Sequence, residues 1–373
     1  MVRTAVRVAV LAVVLAGVLP GVAGAAPGAG AAPPAAGAGV QTDCGFPVTA
    51  TDATGVEVTV SGEPERVVTL APSAAQTMWE IGAKEKVVGL SQYATYLEGA
   101  DSRRNVSGQG STFVGVEKVI DAEPDLVLAP NVVKNDTVEK LRDAGLTVYK
   151  FREAKTLEDI REKTRLTGEL VGECEGAKET VAWMDERLET VRETVEGQDR
   201  PRVLYVFFGF TAGKGTFIHR MITTAGGENV AATANISGFK QVSPEVVVDR
   251  NPQWIVVNDG ATGVPSTDAY NSTDAVKNDQ ILVVKEEHVS QPAPRVVHAI
   301  VRMAKAFHPD AYAAANRTTT ATATTAATDG TTTATTAQQT AETTSAPGVP
   351  GFGVAAALAA LAALALLASR GRR

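Results

Sequence analysis

Two glutamates, Glu117 and Glu245, occupy matching places in two similar stretches of the sequence. Residues 117–128 read EKVIDAEPDLVL and residues 245–256 read EVVVDRNPQWIV, so that a glutamate, an aspartate and a proline match at one offset of 128. Each glutamate begins a predicted short helix, where the helix dipole favours a carboxylate. Two equivalent anions suit a partner with paired positive charges, although both could instead be ordinary helix-capping residues.

The sequence has none of the motifs that would indicate an enzyme. It contains no Gly-x-Ser-x-Gly, no glycine-rich phosphate loop with a lysine, and no pair of zinc ligands at the usual spacing. The four histidines are scattered, so we expect no metal site. The formal charge is −7, and an acidic body repels phosphate backbones, which argues against nucleic-acid binding.

Strands and helices alternate through the middle of the chain. Residues 66–70 form a predicted strand that leads through the loop 71–73 into a helix, and residues 202–207 begin a similar unit. Those helices end at Gly82 and at Gly226-Gly227. Uninterrupted Val, Ile and Leu strands that alternate with helices indicate parallel sheets covered on both faces.

A helical stretch separates the two similar halves. Thr156 and Asp159 resemble a capping box before residues 157–171, and a second helix is predicted over about 175–196. We therefore predict an α/β fold of two doubly wound parallel-sheet lobes joined by a long rigid helix. Ligands of open α/β sheets bind beyond the carboxyl ends of the strands, which predicts a ligand cleft between the lobes. The predicted boundaries are an N-terminal lobe over 44–151, connecting helices over 152–200 and a C-terminal lobe over 201–312.

The two ends of the chain are typical of targeting segments. Arg3 and Arg7 precede an apolar run and small residues, which predicts a signal peptide over 1–26 and a flexible leader over 27–43. Threonine makes up 15 of the 32 residues in 316–347, which predicts a stalk over 313–349. Residues 350–373 hold an apolar stretch of 16 residues. At ~1.5 Å per residue it is shorter than the ~30 Å hydrocarbon core, so a sorting signal and a retained membrane helix both stay open.

The cysteines and the sequons fit a secreted protein. Cys44 and Cys174 are the two cysteines of the chain, and in an oxidising compartment we expect a disulfide between them. Asn-x-Ser/Thr sequons make five residues candidates for glycosylation: Asn105, Asn135, Asn235, Asn271 and Asn316.

Four segments together resemble the helical-backbone substrate-binding proteins of ABC importers for cobalamin, siderophore-bound iron and haem. These segments are Arg66–Ser73, Glu117–Leu128, Ala225–Val230 and Val242–Glu245. The resemblance covers residues 56–308 and implies two lobes bridged by a long helix. It also implies that Glu117 and Glu245 dock with arginines of a permease dimer that works with an ATPase. We expect a monomer that binds a small-molecule ligand.

The C-terminal segment carries a second resemblance. The stalk, the tripeptide Pro350-Gly351-Phe352, the short apolar stretch and the basic end together resemble archaeal tails that an archaeosortase removes and replaces with a lipid. This resemblance implies an archaeal source. It also implies a protein held at the outer face of the cell membrane, either by a lipid or by the tail itself.

The candidate ligand-binding residues follow predicted strand ends or precede the last helix. They are Pro72, Ser73, Tyr93, Phe113, Pro130, Asn131, Phe208, Phe210, Phe239, Asn258, Glu287 and Gln291. Phe208, Phe210 and Phe239 match places where cobalamin binders of this family put aromatic rings. Phe208 and Phe210 could instead be core residues.

The resemblance favours cobalamin over a ferric siderophore or haem. Large planar ligands suit apolar faces with a few polar groups, and arginine clusters that grip anionic siderophores are absent from the predicted loops. Cobalamin binders also hold an acid and an arginine before the last helix, where this chain has Glu287 and Gln291, so the arginine is missing. Arg295 could face the cleft or be structural. We predict no permanently bound cofactor, and a structural cell-surface protein is the non-transport alternative.

Overall fold

The computed structural model describes residues 44–109, 113–261 and 263–317. The chain divides into one compact unit, Met1–Ala313, and a second, Ala314–Arg373, of which residues 314–317 are described and helical. The predicted signal peptide, leader and sorting signal, and nearly all of the predicted stalk, lie outside the described residues. No helix in the described part of the chain is long and apolar enough to cross a membrane.

The N-terminal lobe is built from strands β1–β7 and helices α1–α3. In chain order these are β1 (Val48–Thr51), β2 (Glu57–Val60), β3 (Val67–Thr69), α1 (Pro72–Glu80), β4 (Val87–Leu90), β5 (Arg104–Asn105), α2 (Val116–Ile120), β6 (Leu126–Ala129), α3 (Asn135–Asp143) and β7 (Val148–Lys150). Short 3-10 helices cover Lys84–Lys86, Gln92–Ala94 and Ala100–Ser102.

The N-terminal sheet is parallel, with strand order β5-β4-β3-β6-β7. Strands β3, β6 and β7 are buried along their whole length, because helices cover both faces of the sheet. The chain runs outward from β3 in one direction through β4 and β5, and in the other through β6 and β7. The point where the order reverses therefore lies between β3 and β6, where ligands of such sheets bind.

Two helices, α4 (Leu157–Val171) and α5 (Cys174–Val195), connect the lobes. The predicted capping box is confirmed, since the Thr156 hydroxyl accepts from Asp159 N–H and the Asp159 carboxylate accepts from Thr156 N–H. The 22-residue α5 packs against both lobes. Ala177 belongs to the apolar core of the N-terminal lobe, whereas Met184 and Val191 belong to that of the C-terminal lobe.

The start of α5 is held closely against the N-terminal lobe. A Cβ atom at Gly176 would lie 2.0 Å from the Ile81 carbonyl oxygen, so a larger residue would push α5 away from the end of α1. The predicted disulfide is confirmed: Cys44 is bonded to Cys174 at the first residue of α5. The bond ties the β1–β2 hairpin segment to the connecting helix.

The C-terminal lobe contains the remaining strands and helices. These are β8 (Arg202–Val206), β9 (Phe210–Ala212), α6 (Phe217–Thr224), β10 (Glu228–Asn229), α7 (Val230–Thr233), β11 (Phe239–Gln241), α8 (Pro244–Arg250), β12 (Trp254–Asn258), α9 (Asp268–Asn271), α10 (Asp274–Lys277), β13 (Ile281–Val284), α11 (Glu286–Val289) and α12 (Val296–Phe307). Its parallel sheet has the order β10-β8-β12-β13, and β9 pairs with β11 in a separate antiparallel ribbon.

The internal repeat seen in the sequence corresponds to a structural repeat. Helix α2 leads into β6, and helix α8 leads into β12, with both pairs of elements starting at the same offset of 128. Strand β6 pairs with β3, and strand β12 pairs with β8, each in parallel register. The predicted α/β class with two parallel-sheet lobes is confirmed. The second sheet reverses its order between β8 and β12, which again marks a place for a ligand.

Candidate functional site

A cavity of about 590 Å³ lies between the carboxyl ends of the two sheets. Ligand pockets in proteins span roughly 300–1,000 Å³, so this cavity has the size of a binding site. Its N-terminal wall consists of Ala71, Pro72, Ser73, Gln92, Tyr93, Thr95, Tyr96, Pro130, Asn131 and Val132. Its C-terminal wall consists of Asp259, Gly260, Glu286, Glu287, Ser290, Gln291 and Pro292.

The N-terminal wall begins at the end of β3. The sequence predicted a loop over residues 71–73, and this was wrong for Pro72 and Ser73, which are the first two residues of α1. Proline suits that position because its φ is already helical and its missing N–H would have had no helical partner. The helix therefore starts at the cavity itself and presents Ser73 there.

A short 3-10 helix after β4 positions two tyrosines on the same wall. The Ser91 hydroxyl accepts a hydrogen bond from Tyr93 N–H, and the Ser107 hydroxyl accepts one from Gln92 N–H. Tyr93 is 54% exposed, so much of its ring is free to contact a ligand. The Phe113 ring lies 5.9 Å from the Tyr93 ring and extends this aromatic surface beyond the cavity.

The C-terminal wall is acidic. The Asp259 carboxylate, just after β12, accepts a hydrogen bond from Glu286 N–H at 2.7 Å and so holds the start of α11 against the strand end. Glu286 and Glu287 add two further carboxylates, and Lys285 pairs with Glu287 at 3.4 Å. No lysine, arginine or histidine is among the described residues that line the cavity. An anionic ligand would therefore meet like charges on this wall.

The floor of the cavity is a hydrogen-bonded network that joins the two lobes. Buried Gln76 donates from Nε2 to the Tyr96 hydroxyl oxygen at 3.0 Å and to the Glu287 carbonyl at 2.9 Å, while its Oε1 accepts from Arg295 N–H. Gln291 donates to the same Tyr96 oxygen at 2.7 Å. Burial raises the pKa of Tyr96 to about 12, so the phenol stays neutral.

Arg295 has a structural role in this network. Its Nε atom donates to the Glu80 carboxylate at 2.7 Å, which ties the start of α12 to the end of α1. Arg295 is not among the lining residues of the cavity. The sequence left open whether Arg295 faces the cleft or has a structural role, and these contacts support the structural role.

Comparison with known proteins identifies the family of the chain. The family model described as periplasmic binding protein matches residues 67–288, more than half of the chain. The chain belongs to this periplasmic binding protein family. A cobalamin-binding protein from Halobacterium salinarum is 44% identical over 277 residues, which cover 71% of this chain and 75% of the relative.

Solved structures of periplasmic binding proteins share the fold. The haem-binding protein RhuT from Roseiflexus, in its apo form, is 26% identical with a TM-score of 0.60, covering 67% of this chain and all of that one. The vitamin B12-binding protein BtuF of Vibrio cholerae is 24% identical with a TM-score of 0.57, covering 65% of this chain and 96% of its own. These likenesses agree with the arrangement of two lobes and connecting helices described above.

In this periplasmic binding protein, seven of the twelve predicted ligand-binding residues line the cavity. They are Pro72, Ser73, Tyr93, Pro130, Asn131, Glu287 and Gln291. Phe113, Phe208, Phe210 and Phe239 are exposed but lie outside the lining, and Asn258 is fully buried at the end of β12. Both polar side-chain atoms of Asn258 are buried and have no hydrogen-bond partner among the described residues.

Phe208 and Phe210 are not core residues, which decides the alternative left open by the sequence. Phe208 and Gly209 form the two-residue turn before β9, with φ of 47° and 78°, and Phe207 and Phe210 exchange both backbone hydrogen bonds across it. Such a turn favours glycine or asparagine at both positions. A phenylalanine held there in left-handed geometry is strained, as residues at functional sites often are.

Several lining residues were missed by reasoning from the sequence. These are Ala71, Gln92, Thr95, Tyr96, Val132, Asp259, Gly260, Glu286, Ser290 and Pro292. Most of them are adjacent in sequence to predicted residues, so taking the neighbours of each strand-end residue as candidates would have included them. Tyr96 follows a 3-10 helix, and no signal in the sequence marked it.

Glu117 and Glu245, the two predicted docking residues, are both exposed in the first turn of a short helix, α2 and α8 respectively. The pKa of Glu245 is lowered by a hydrogen bond from its own backbone N–H and by another from the Ser243 hydroxyl, so the side chain stays anionic. Neither glutamate lines the cavity. Their role in docking stays a prediction.

The remaining predicted sites are also on the surface. The five sequon asparagines are exposed, and their glycosylation stays a prediction. Within residues 44–109, 113–261 and 263–317, no group of three or more His, Cys, Asp or Glu side chains is arranged to hold a metal ion.

Proposed function

We propose that this chain is the extracytoplasmic solute-binding component of an ABC importer, and that it captures cobalamin and delivers it to a permease. The observation that carries the ligand assignment is the charge of the cavity. Among the described lining residues, those of the N-terminal wall are uncharged and include two tyrosines, while those of the C-terminal wall include three carboxylates and no cation. This surface suits a bulky ligand without a cluster of negative charges. The relative of 44% identity named as a cobalamin-binding protein supports the same choice.

A corrinoid is larger than a drug-sized ligand and would extend over the rim of the cavity. Phe113 is in contact with Tyr93, which lines the N-terminal wall. Phe208 follows the carboxyl end of β8, and Asp259 follows the carboxyl end of β12. These two strand ends lie at the same edge of the sheet, because Val206 pairs with Val257. We propose that Phe113, Phe208, Phe210 and Phe239 contact the part of the ligand that lies outside the cavity.

Haem and ferric siderophores are the alternative ligands within the same importer class. Haem-binding neighbours such as RhuT favour this alternative. Haem carries two propionates and many siderophores are anionic, so both would meet the carboxylates of the C-terminal wall without a lining cation to pair with. Cobalamin therefore remains the first candidate.

The partner and the location follow from the same proposal. Glu117 and Glu245 start repeat-equivalent helices, and two exposed anions of this kind suit paired arginines on a two-fold permease. We propose that a signal peptide exports the chain and that the C-terminal segment, or a lipid in its place, holds it at the outer face of the membrane. A monomer would present one glutamate to each half of the permease.

The test is a titration of the full chain in high salt with cyanocobalamin, followed by calorimetry and by tryptophan fluorescence. We expect saturable one-to-one binding with a Kd between nanomolar and low micromolar. Haemin and a ferric hydroxamate siderophore, titrated in parallel, should bind at least 100-fold more weakly. Tight binding of haemin instead would overturn the cobalamin assignment, and no binding of any of the three would favour the structural cell-surface alternative.

A further inference from the structure

Lys163 is a buried lysine directly behind the cavity floor. It lies in the middle of α4, and its residue is 7% exposed. Its Nζ donates to the Ser73 hydroxyl at 3.1 Å and to the Pro292 carbonyl at 3.3 Å, and lies 5.5 Å from the centre of the Phe151 ring. Ser73 belongs to the N-terminal wall and Pro292 to the C-terminal wall, so one side chain contacts both walls.

This lysine has no acidic partner among the described residues. The salt bridges in that part of the chain do not include it, and burial alone lowers its pKa to about 7. A buried amine without a carboxylate is costly, and an apolar side chain of similar length would avoid that cost. Its neighbours on α4 are ordinary core residues: Ile160 packs in the core of the C-terminal lobe and Leu170 in that of the N-terminal lobe.

The contact fixes the direction of the Ser73 hydroxyl. A charged Lys163 can only donate to the Ser73 oxygen, so in that form the hydroxyl hydrogen of Ser73 points elsewhere. It has no acceptor among the described residues, and Ser73 lines the cavity. Ser73 is therefore set to donate a hydrogen bond into the cavity.

The same logic applies to Tyr96 on the other side of the floor. The Tyr96 oxygen accepts two amide hydrogen bonds, one from Gln76 and one from Gln291, so its own hydrogen is free to donate. The orientation of the Gln76 amide is fixed by backbone partners at both ends, Glu287 and Arg295. Tyr96 lines the cavity and keeps its proton at neutral pH.

Gln291 supplies the complementary acceptor. Gln291 is 8% exposed and lines the cavity, and its Oε1 is buried without a hydrogen-bond partner in the described part of the chain. Its Nε2 donates to the Glu287 carbonyl oxygen at 3.3 Å and to the Tyr96 hydroxyl oxygen. Exchanging the positions of Oε1 and Nε2 would place Oε1 against the Glu287 carbonyl oxygen, so that two acceptors would face each other. An unused buried acceptor costs free energy unless a ligand or a water satisfies it.

We propose, resting on the function proposed above, that the cavity floor is a subsite for primary carboxamide groups of the ligand. The Ser73 and Tyr96 hydroxyls donate to amide carbonyl oxygens. Gln291 Oε1, which is buried in this arrangement, accepts an amide N–H once its side chain turns toward the ligand. Lys163 is a positioning residue that acts through Ser73. A carboxylate in place of the amide cannot donate to Gln291, and it adds a negative charge beside Glu287. The subsite therefore selects amides against acids.

The probe is cyanocobalamin, whose corrin ring carries primary amide side chains, compared with its monocarboxylic acids, in which one amide is hydrolysed. The full chain should bind cyanocobalamin at least tenfold more tightly than one or more of these acids. Ser73→Ala and Tyr96→Phe should each weaken binding of cyanocobalamin by about tenfold and reduce the preference for the amide. Ser73→Thr should rescue binding relative to Ser73→Ala, and Ser102→Ala, a change at an exposed serine outside the cavity, is the matched control.

Lys163→Met tests the positioning role. It should weaken binding as much as Ser73→Ala, and the double variant should be no weaker than Ser73→Ala alone, because both changes act through one hydroxyl. Its thermal unfolding midpoint should not fall, since a buried amine is replaced by an apolar group. A purely structural lysine would lower the midpoint together with the affinity.

The outcomes separate this inference from the proposed function. If the native chain binds cyanocobalamin and the Ser73→Ala and Tyr96→Phe variants bind it equally well, the subsite is overturned and the function stands. If the double variant Lys163→Met, Ser73→Ala loses as much binding free energy as the two single variants added together, the positioning role of Lys163 is overturned. If the native chain binds no cyanocobalamin, the proposed function fails and the subsite fails with it.

Discussion

The two lobes repeat one strand arrangement but contribute different walls to the cavity. The N-terminal wall comes from segments that follow β3, β4 and β6, and it is uncharged. The C-terminal wall comes from the end of β12 and from the segment 286–292, and it carries Asp259, Glu286 and Glu287. The C-terminal lobe also has three exposed phenylalanines, which lie outside the lining.

This difference shows that the internal repeat fixes the position of the binding site but not the side chains that a ligand contacts there. The reversal of strand order places loops of both lobes at the cavity. The chemistry of each wall depends on side chains that the two halves do not share. Variants of the two walls, of Lys163 and of the docking glutamates would test that division.

Filling the C-terminal wall should have the largest effect. Ser290 is exposed and lines the cavity, so Ser290→Trp places an indole in the space of the ligand. We expect cyanocobalamin binding to weaken at least about 100-fold, or ~3 kcal/mol, as measured by calorimetry. Ser272→Trp, at an exposed position of the same lobe outside the cavity, is the control. Unchanged binding by Ser290→Trp would mean that the ligand lies elsewhere.

Lys163, which contacts both walls, should make stability depend on pH. Burial lowers its pKa from 10.5 to about 7 in the folded state, so above pH 7 the unfolded chain binds more protons than the folded one. Stability should therefore rise from pH 7 to pH 9, by about 2 kcal/mol from this group. The comparison is of urea unfolding for the native chain and Lys163→Met. Parallel curves for the two proteins across this range would contradict the prediction.

The aromatic residues of the two lobes should differ in their contribution to binding. Tyr93 lines the cavity, whereas Phe208 lies on a turn outside the lining. Tyr93→Ala should weaken cyanocobalamin binding by about tenfold, or ~1.4 kcal/mol, and Phe208→Ala by a smaller factor. A larger loss for Phe208→Ala would show that the ligand is held mainly by the C-terminal rim, and would reverse the comparison.

The docking glutamates should behave alike in the two lobes, because they are repeat-equivalent. Glu117→Gln and Glu245→Gln should each reduce transport into proteoliposomes with the permease by a few-fold, with little change in ligand affinity. Glu57→Gln, at another exposed carboxylate of the N-terminal lobe, is the control. A transport defect in one variant alone would break the symmetry that the repeat implies.

Much of the fold could be predicted because its signals are local. The capping box at Thr156, the aliphatic strands and the offset between Glu117 and Glu245 all depend on residues close in sequence, and the structure contains the matching elements. The predicted loop over Pro72 and Ser73 was wrong because Leu70 and Ala71 alone join β3 to α1, and the helix begins at the proline itself.

The site was predicted in outline only. Residues directly after strand ends were found, since parallel strands bring their carboxyl ends to one edge. Tyr96 was missed because it follows a short 3-10 helix that no sequence pattern marked. The role of Arg295 was left open because its partner, Glu80, is 215 residues away in the chain. No sequence pattern indicated that side-chain atoms of Asn258 and Gln291 would be buried without a hydrogen-bond partner among the described residues.

The α/β class, the two lobes and the connecting helices could be predicted from the sequence, because hydrophobic periodicity and helix caps are local signals. The Cys44–Cys174 bond could be predicted because the chain has two cysteines, which allow one pairing. The tertiary structure decided which side chains meet. It buried Lys163 between Ser73 and Pro292 and collected three carboxylates on one wall. Those arrangements depend on distances between segments far apart in the chain, and such distances exist only after the lobes have packed on α4 and α5.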